Sequence, residues 1–205
     1  MMKDSEYIQM NLHELIKEIG EDSTKKLLSS FSCEKNADVQ NFIKYKACEF
    51  SKQGLAKTFL VYLKNEDNLL LVGFFSLSQK TITVDSKALN SKHRSKIRKF
   101  SEFDENNKCF TLPVILIGQL GKNFTEGNNE KIQGDELLKM ALDKTMEVQR
   151  MIGGKFVFLE CENNQKVLKF YKRNGFRQFG ERELDGDETD IRGTTLIQLI
   201  KFLEQ

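Results

Sequence analysis

The sequence lacks several features that define common classes of protein. Its 205 residues include no tryptophan, one proline and two histidines, His13 and His93. The four cysteines are far apart, and none belongs to a Cys-x-x-Cys pair or a Cys/His cluster. A structural zinc site is therefore not expected, and we predict no bound metal.

Long apolar runs and a strong excess of charge are also missing. No run approaches the length that spans a bilayer, and the first 20 residues lack an apolar core flanked by basic residues. Lys and Arg number 32 against 30 Asp and Glu, so any contact with nucleic acid needs a local basic patch. We predict a cytoplasmic protein with reduced thiols, no secretory signal and no membrane segment.

The chain does contain enough apolar residues for a core. Hydrophobic residues make up 39% of it, and 16 are phenylalanine, which argues against disorder. The length predicts a single domain over residues 1–205. Within it, residues 1–30 read as an N-terminal helical extension with a break at Gly20, and a second helix is expected over 38–52.

The periodicity then changes to that of strands. We predict a hairpin of strands 57–63 and 68–78, and a third short strand at 80–84. A buried strand at 111–124, a long helix from Gly134 to Met151 and a strand at 155–161 follow, and such a unit predicts a right-handed crossover between parallel strands. A short helix at 163–173 and two final strands around the acidic loop 183–190 complete a mixed α/β arrangement.

Residues 85–108 form a predicted surface insert that is first basic and then acidic. Its first part carries six cations and no acid: Lys87, Lys92, Arg94, Lys96, Arg98 and Lys99. A run of this kind can pair with phosphates. A solvated helical face is the usual role of such a run, so both interpretations stay open.

A polar loop, "TEGNNEKIQ", leads into the long helix. The start of a helix exposes N–H groups and a partial positive charge, an arrangement that suits phosphate. The loop also follows a buried strand, and ligands of such units bind at the carboxyl ends of the strands. We therefore expect the start of the next helix, with Asn163, Asn164 and Tyr171, near whatever this loop holds.

The order of elements and the motifs over about residues 31–181 resemble the GNAT N-acetyltransferase superfamily. Members carry a strand, a pyrophosphate loop of pattern Q/R-x-x-G-x-G/A, a long helix, a strand, and a helix that ends in F-Y-x-x-x-G-F. Here "VILIGQLGKN" resembles the strand, "NEKIQGDELL" the loop and "VFLECENNQKVLKFYKRNGF" the remainder. Gly134 matches the last glycine of the loop, whereas Ile132 replaces the first glycine and Asn129 replaces the Gln or Arg.

The first half of the chain resembles one particular group within this superfamily. The segment from "SFSCEKNADVQ" through "GLAKTFLV" to "VGFFSLS" is similar to the GNAT-type toxins of toxin–antitoxin modules. The resemblance implies an α/β (α+β) fold, with a GNAT-like mixed, mostly antiparallel twisted sheet flanked by helices and a central parallel β-α-β unit. It also implies acetyl-CoA as acyl donor and a primary amine as acceptor, with the amino group of aminoacyl-tRNA as one candidate and an antitoxin protein as a partner.

The resemblance assigns roles to individual residues. Tyr171 would give a proton to the leaving coenzyme A thiolate, and Glu160, or its neighbour Glu162, is a candidate base at a strand end. The tRNA acceptor makes Lys92, Arg94, Lys96 and Arg98 candidate RNA-binding residues. The candidate cofactor-binding residues are Leu120, Gly121, Lys122, Lys131, Ile132, Gln133, Gly134, Asp135 and Asn164.

Two alternatives stay open from the sequence. The acceptor of an acetyltransferase could instead be a small molecule or a protein amine. The incomplete glycine pattern of "NEKIQG" also allows a non-catalytic RNA- or protein-binding module of the same fold. The chain is expected to be a monomer or a homodimer.

Overall fold

The computed structural model describes residues 7–65, 68–186 and 188–203. These residues form eight strands and seven α-helices. The strands are β1 (Tyr7–Asn11), β2 (Lys57–Asn65), β3 (Asn68–Asp85), β4 (Glu102–Asp104), β5 (Cys109–Lys122), β6 (Phe156–Glu162), β7 (Arg177–Glu183) and β8 (Thr195–Phe202). The α-helices are α1 (Leu12–Ile19), α2 (Glu21–Ser29), α3 (Ala37–Asn41), α4 (Ala47–Gln53), α5 (Ser91–Ile97), α6 (Gly134–Ile152) and α7 (Gln165–Arg173).

The strands form a mixed sheet in the order β1-β2-β3-β5-β6-β8-β7, and β4 pairs with β5. Antiparallel pairing dominates, as in the β6–β8 register of Phe158 with Ile200. The parallel pair is β5–β6, in which Ile115 lies opposite Val157 and Leu116 opposite Phe158. The predicted fold class is thereby confirmed, because α6 lies between two parallel strands in the chain and the rest of the sheet is mostly antiparallel.

Two sequence predictions on the strands were wrong. Residues 7–11 are not helical, because β1 pairs antiparallel with β2, with Tyr7 opposite Leu63 and Asn11 opposite Phe59. The expected third strand at 80–84 is the continuation of β3, which runs unbroken over 18 residues. Residues 1–6 of the predicted extension lie outside the described residues.

The Cα positions divide into two compact units. The first consists of Met1–Ser78 with Ile117–Asp143, and the second of Gln79–Leu116 with Lys144–Gln205. The prediction of one domain over 1–205 stays a prediction.

The core of the first unit is aromatic and aliphatic. Phe31 packs edge-on against Phe74 with ring centroids 5.2 Å apart, and Phe42 stacks on Phe74 at 6.2 Å. Between α3 and α4, residues Phe42–Lys46 form a π-helical turn, so the helix predicted over 38–52 is present but is interrupted in the middle.

The core of the second unit lies on the sheet under the insert. Buried side chains of α5, β5, β6 and β8 meet there, with Phe156 packed edge-on against Phe202 at 5.4 Å. Leu89 and Ile97 of the insert are 7% and 4% exposed. The insert contains helix α5, and its apolar residues anchor it to this core. Among the described residues, no helix is long and apolar enough to cross a membrane.

Candidate active site

The end of β5 in the first unit is closely packed around Gly121. A Cβ added at Gly121 would lie 2.4 Å from Cγ1 of Val39 on α3, and its carbonyl oxygen lies 2.8 Å from where a Cβ on Gly73 would be. These separations are too short for any larger residue unless the backbone moves. Glycine at 121 thus brings the strand end close to α3, and it holds Leu120 and Lys122, the other candidates of this strand end, in place.

The side chain of Lys122 connects this strand end to the polar loop. Its Nζ donates to the carbonyl oxygens of Asn129 at 2.7 Å and Ile132 at 3.1 Å. Burial, with Lys35 nearby, lowers the pKa of Lys122. Ile132, which occupies a glycine position of the motif, is 1% exposed. Its side chain therefore serves the core, and only the backbone of Ile132 can take part in ligand binding.

A carboxylate from the first turn of helix α6 accepts a hydrogen bond from the backbone just before the helix. The backbone N–H of Gln133 donates to Oε2 of Glu136 at 2.7 Å, and the first turn contains both Asp135 and Glu136. Acids in a first turn stabilise the helix by interacting with its dipole. They also place negative charge where Gly134 and its neighbours would meet a diphosphate. The charge of this first turn therefore opposes a phosphate, and the Gln133 N–H is already used by Glu136.

A further contact to this loop comes from β1, where sequence reasoning had placed a helix. The Tyr7 hydroxyl donates to the carbonyl oxygen of Lys131 at 2.8 Å. Burial, then the charge of Glu136 and a hydrogen bond to it, raise the pKa of Tyr7. Tyr7 thus fixes the segment that precedes α6. No signal in the sequence relates two residues that lie 124 positions apart.

In the second unit, Tyr171 lies on α7 between two phenylalanines. Its ring makes edge contacts with Phe170 at 4.9 Å and Phe176 at 5.7 Å. The helix ends where the sequence predicted, because Gly175 (φ 84°) allows the N–H of Phe176 to reach the carbonyl oxygen of Tyr171 at 3.1 Å. Tyr171 is partly exposed. Its hydroxyl has no hydrogen-bond partner among the residues that the structure describes.

Desolvation also shifts the pKa values of the Tyr171 hydroxyl and of the Cys161 thiol next to it. Desolvation, with the neighbouring Cys161 thiol, raises the pKa of Tyr171 above its ordinary value. Desolvation and then Glu162 raise the pKa of Cys161 to about 12. Both groups are therefore protonated at neutral pH. Cys161 is 8% exposed and packs as a small buried residue.

Asn164 is the N-cap of α7. Its Oδ1 accepts from the backbone N–H of Lys166 at 2.9 Å. The Nδ2 group is a separate donor, so the cap leaves the amide hydrogens available to a ligand. The cap sets the start of the helix that carries Tyr171.

The structure argues against Glu160 as a base. Its carboxylate receives two hydrogen bonds from Arg182, at 2.9 and 3.0 Å, and one from Gln198 at 3.0 Å. Burial alone would raise the pKa of Glu160, but these hydrogen bonds and the charge of Lys80 hold that pKa below its ordinary value. In addition, neighbouring side chains of a strand point to opposite faces, so Glu160 faces away from Cys161 and hence from Tyr171.

Glu162, the second candidate base, lies at the end of β6. Its Oε1 is buried without a hydrogen-bond partner among the described residues. Strand alternation gives it the same face as Glu160. We therefore assign a base role to neither carboxylate.

The predicted basic residues lie on and just after α5, which Asn90 caps by accepting from the N–H of His93 at 2.9 Å. Lys92 and Arg94 are exposed. Lys96 places its Nζ over the Phe202 ring at 3.4 Å, and Arg98 lies over Phe103 at 5.6 Å. Lys96 and Arg98 therefore also take part in packing.

Among the described residues, no group of three or more His, Cys, Asp or Glu side chains is placed to bind an ion.

Taken together, the sheet order, the parallel β5–β6 pair and the position of α6 define a GNAT-like fold. This agrees with the resemblance to GNAT-type toxins that was noted from the sequence, and solved structures of such toxins confirm it at the level of the fold. One similar structure is AtaT complexed with acetyl-methionyl-tRNAfMet, at 18% identity and a TM-score of 0.60 over 94% of each chain. A second is a KacT variant with a Tyr-to-Phe substitution, at 15% identity and a TM-score of 0.60, over 94% of this chain and 93% of that one.

A third similar structure is an AtaT variant, also with a Tyr-to-Phe substitution, bound to the C-terminus of the antitoxin AtaR and acetyl-CoA. It is 15% identical, covers 85% of this chain and 84% of that chain, and has a TM-score of 0.53. A comparison with protein-family models found no match, and neither did a comparison with curated proteins.

Proposed function

We propose that this protein is an acetyl-CoA-dependent N-acetyltransferase whose acceptor is the amino group of an aminoacyl-tRNA. The observation that carries the proposal is the Tyr171 hydroxyl, which is protonated, has no partner in the described part of the chain, and belongs to the "FYKRNGF" segment. The fold is shared with solved toxins, one of them complexed with an acetylated aminoacyl-tRNA and another bound to acetyl-CoA.

In the proposed reaction the acceptor nitrogen attacks the thioester carbonyl directly. A C–N bond forms, the C–S bond breaks, and the electron pair leaves with sulfur. Tyr171 gives its proton to that sulfur, and the nitrogen loses its proton to water. The protein therefore contributes positioning and one general acid, and it needs no carboxylate base.

The proton affinities support this assignment. An ordinary phenol has a pKa near 10 and a thiol one near 8.5, so transfer in water would be uphill by about 2 kcal/mol. The surroundings of Tyr171 oppose any thiolate, since they raise the pKa of the Cys161 thiol to about 12. A coenzyme A thiolate leaving in the same surroundings would likewise be a stronger base than in water. The same surroundings also raise the pKa of Tyr171, so the transfer stays uphill by a similarly small amount, which a Tyr171 hydroxyl held close to the sulfur can overcome.

The acyl donor would be held mainly by backbone groups. We assign N–H groups near Leu120 and Lys122, in the first unit, to the pantetheine arm, and the amide of Asn164, in the second unit, stays a separate candidate for it. The β5–β6 ladder covers two residue pairs in the described chain, which supports the availability of later β5 groups to a ligand. The diphosphate would meet the backbone from Lys131 to Asp135, where the acids of the first turn predict weak binding.

Thiol release tests the proposal. Purified protein incubated with acetyl-CoA and an aminoacyl-tRNA should release free thiol, and mass spectrometry should find the acetyl group on the amino acid. Expression should arrest growth, and Tyr171→Phe should relieve the arrest. The tRNA acceptor would be wrong if expression at high level is harmless and free thiol is released only with small amines or proteins. The acceptor would then be a small amine or a protein amine.

A second candidate function rests on the charge at the start of α6. Asp135 and Glu136 oppose a diphosphate, so a non-catalytic RNA- or protein-binding module with this fold is the alternative. Calorimetry separates the two, because such a module would show no heat of binding with acetyl-CoA at millimolar concentration. An antitoxin partner, a cytoplasmic location and the choice between monomer and homodimer stay predictions.

A further inference from the structure

A hydrogen bond joins the basic insert to a distant strand. Nη1 of Arg177, the first residue of β7, lies 2.7 Å from Nε2 of His93 on α5, although the two residues are 84 positions apart. Arginine can only donate hydrogen bonds. Nε2 of His93 must therefore accept, and the ring is neutral with its proton on Nδ1.

The surroundings keep this histidine neutral. Burial, then the charges of Arg177, Lys92 and Lys96, lower the pKa of His93. Among the described residues, no carboxylate forms an ion pair with Arg177, Lys92 or Arg94. Cations from two elements are thus held together with no acid between them, an arrangement that is unfavourable until an anion joins it.

We propose that Arg177, together with Lys92, forms a binding site for a backbone phosphate of the tRNA acceptor, with His93 as the residue that orients the Arg177 guanidinium. This inference rests on the proposed function. It places the binding site of the tRNA acceptor at α5 and the start of β7. Arg177 was absent from the residues predicted from the sequence.

The chemistry of the two side chains supports a phosphate ligand. The guanidinium presents five N–H donors in a planar fork that matches phosphate oxygens in a bidentate way. The His93 contact uses one of these donors and limits rotation of the group, which leaves the others directed elsewhere. An exposed arginine otherwise loses side-chain entropy when it binds. His93 reduces that loss because it holds Arg177 in advance.

The charge of Arg177 is tested by the salt dependence of binding. The affinity for tRNA is measured without acetyl-CoA at several salt concentrations. Arg177→Gln should weaken binding and reduce the slope of log K against log salt by about one, as expected for the loss of one phosphate contact. Arg150→Gln removes the same charge from the last turn of α6 and serves as the matched control. An equal loss in both variants, or no loss in Arg177→Gln, overturns the proposal.

The role of His93 is tested by a double-mutant cycle. His93→Leu removes the acceptor and should weaken binding several-fold while the salt slope stays nearly unchanged. His93→Gln should restore much of the affinity, since its carbonyl oxygen can accept from Arg177. In the background of Arg177→Gln, His93→Leu should have little further effect. An additive effect, or equal losses in His93→Leu and His93→Gln, would show that His93 does not act through Arg177.

The outcomes separate this inference from the proposed function. Wild-type protein that releases thiol with aminoacyl-tRNA, while Arg177→Gln binds tRNA normally, overturns the inference alone. Wild-type protein that acetylates small amines and does not bind tRNA overturns the inference and the tRNA acceptor but not the acetyltransferase. If Arg177→Gln weakens binding of duplex DNA and leaves tRNA binding intact, the site binds DNA and the proposal is also wrong.

Discussion

Tyr171→Phe is the most direct test of the proposed chemistry. The change removes one oxygen and keeps the ring that packs against Phe170 and Phe176. Because the hydroxyl has no partner among the described residues, the free energy of unfolding should change by less than about 0.5 kcal/mol. The change therefore isolates proton donation from folding.

The expected magnitude follows from the role of a general acid. Proton transfer by a positioned side chain contributes about 10²- to 10⁴-fold to rate. Water can protonate part of the leaving thiolate, so we expect thiol release to fall at least about tenfold, which corresponds to about 1.4 kcal/mol in the barrier. Since its pKa is raised, Tyr171 stays protonated, and the ratio of wild-type to variant rates should be constant from about pH 7 to about pH 9.

The assay follows release of free thiol from acetyl-CoA with a saturating amine, and calorimetry checks that the variant still binds acetyl-CoA. Tyr62→Phe is the matched control. Tyr62 is also buried, and desolvation raises its pKa to about 12. The control should keep the wild-type rate. If Tyr171→Phe keeps the wild-type rate, or if Tyr62→Phe loses as much rate as Tyr171→Phe, Tyr171 is not the general acid.

Three further predictions concern charge and packing. Glu136→Gln should tighten acetyl-CoA binding about two- to fivefold by calorimetry, because glutamine can keep the cap while a negative charge is lost. Gly121→Ala should lower the free energy of unfolding in urea by about 1–3 kcal/mol, and Val39→Ala in the same chain should recover part of it, since the added Cβ would meet Val39. Arg182→Gln should cost about 1–2 kcal/mol in the same assay. The lowered pKa of Glu160 stabilises the fold at pH values above 4.5, the ordinary pKa of this group, and the stabilisation is lost as the pH falls through the lower pKa of the folded state. The decrease in the free energy of unfolding at acid pH should therefore be smaller in Arg182→Gln than in the wild type.

The fold class could be predicted because its signals are local. The apolar run in β5, the helical stripe of α6 and the glycine after α7 each act within a few residues. The strand β1 could not be predicted in this way. Five residues that run directly into α1 have too little periodicity, and their strand conformation depends on pairing with β2, more than 40 residues later.

The site was predictable only in part, for the same physical reason. The spacing of "FYKRNGF" predicted a role for Tyr171, and the polar loop predicted a ligand at the start of α6; both stay predictions. The sequence alone cannot tell which face of β6 is covered by α7, so Glu160 was a candidate base although its side chain lies on the face opposite to that of Cys161. The partners of Glu160 and His93, which are Arg182 and Arg177, come from β7. Such contacts follow from the packing of the sheet and leave no local pattern.

The chemical and the recognition hypotheses depend on different residues, so each can fail without the other. Tyr171 needs only a desolvated position near a thioester sulfur, and its contribution should be the same for any amine. Arg177 and His93 matter only if the acceptor carries phosphates, and their contribution should vanish with small amines and decrease with salt. A Tyr171 effect with every acceptor and an Arg177 effect limited to tRNA would together favour an acetyltransferase that recognises its acceptor through the phosphate backbone. A Tyr171 effect without an Arg177 effect would support the acetyltransferase activity and would argue against tRNA as the acceptor.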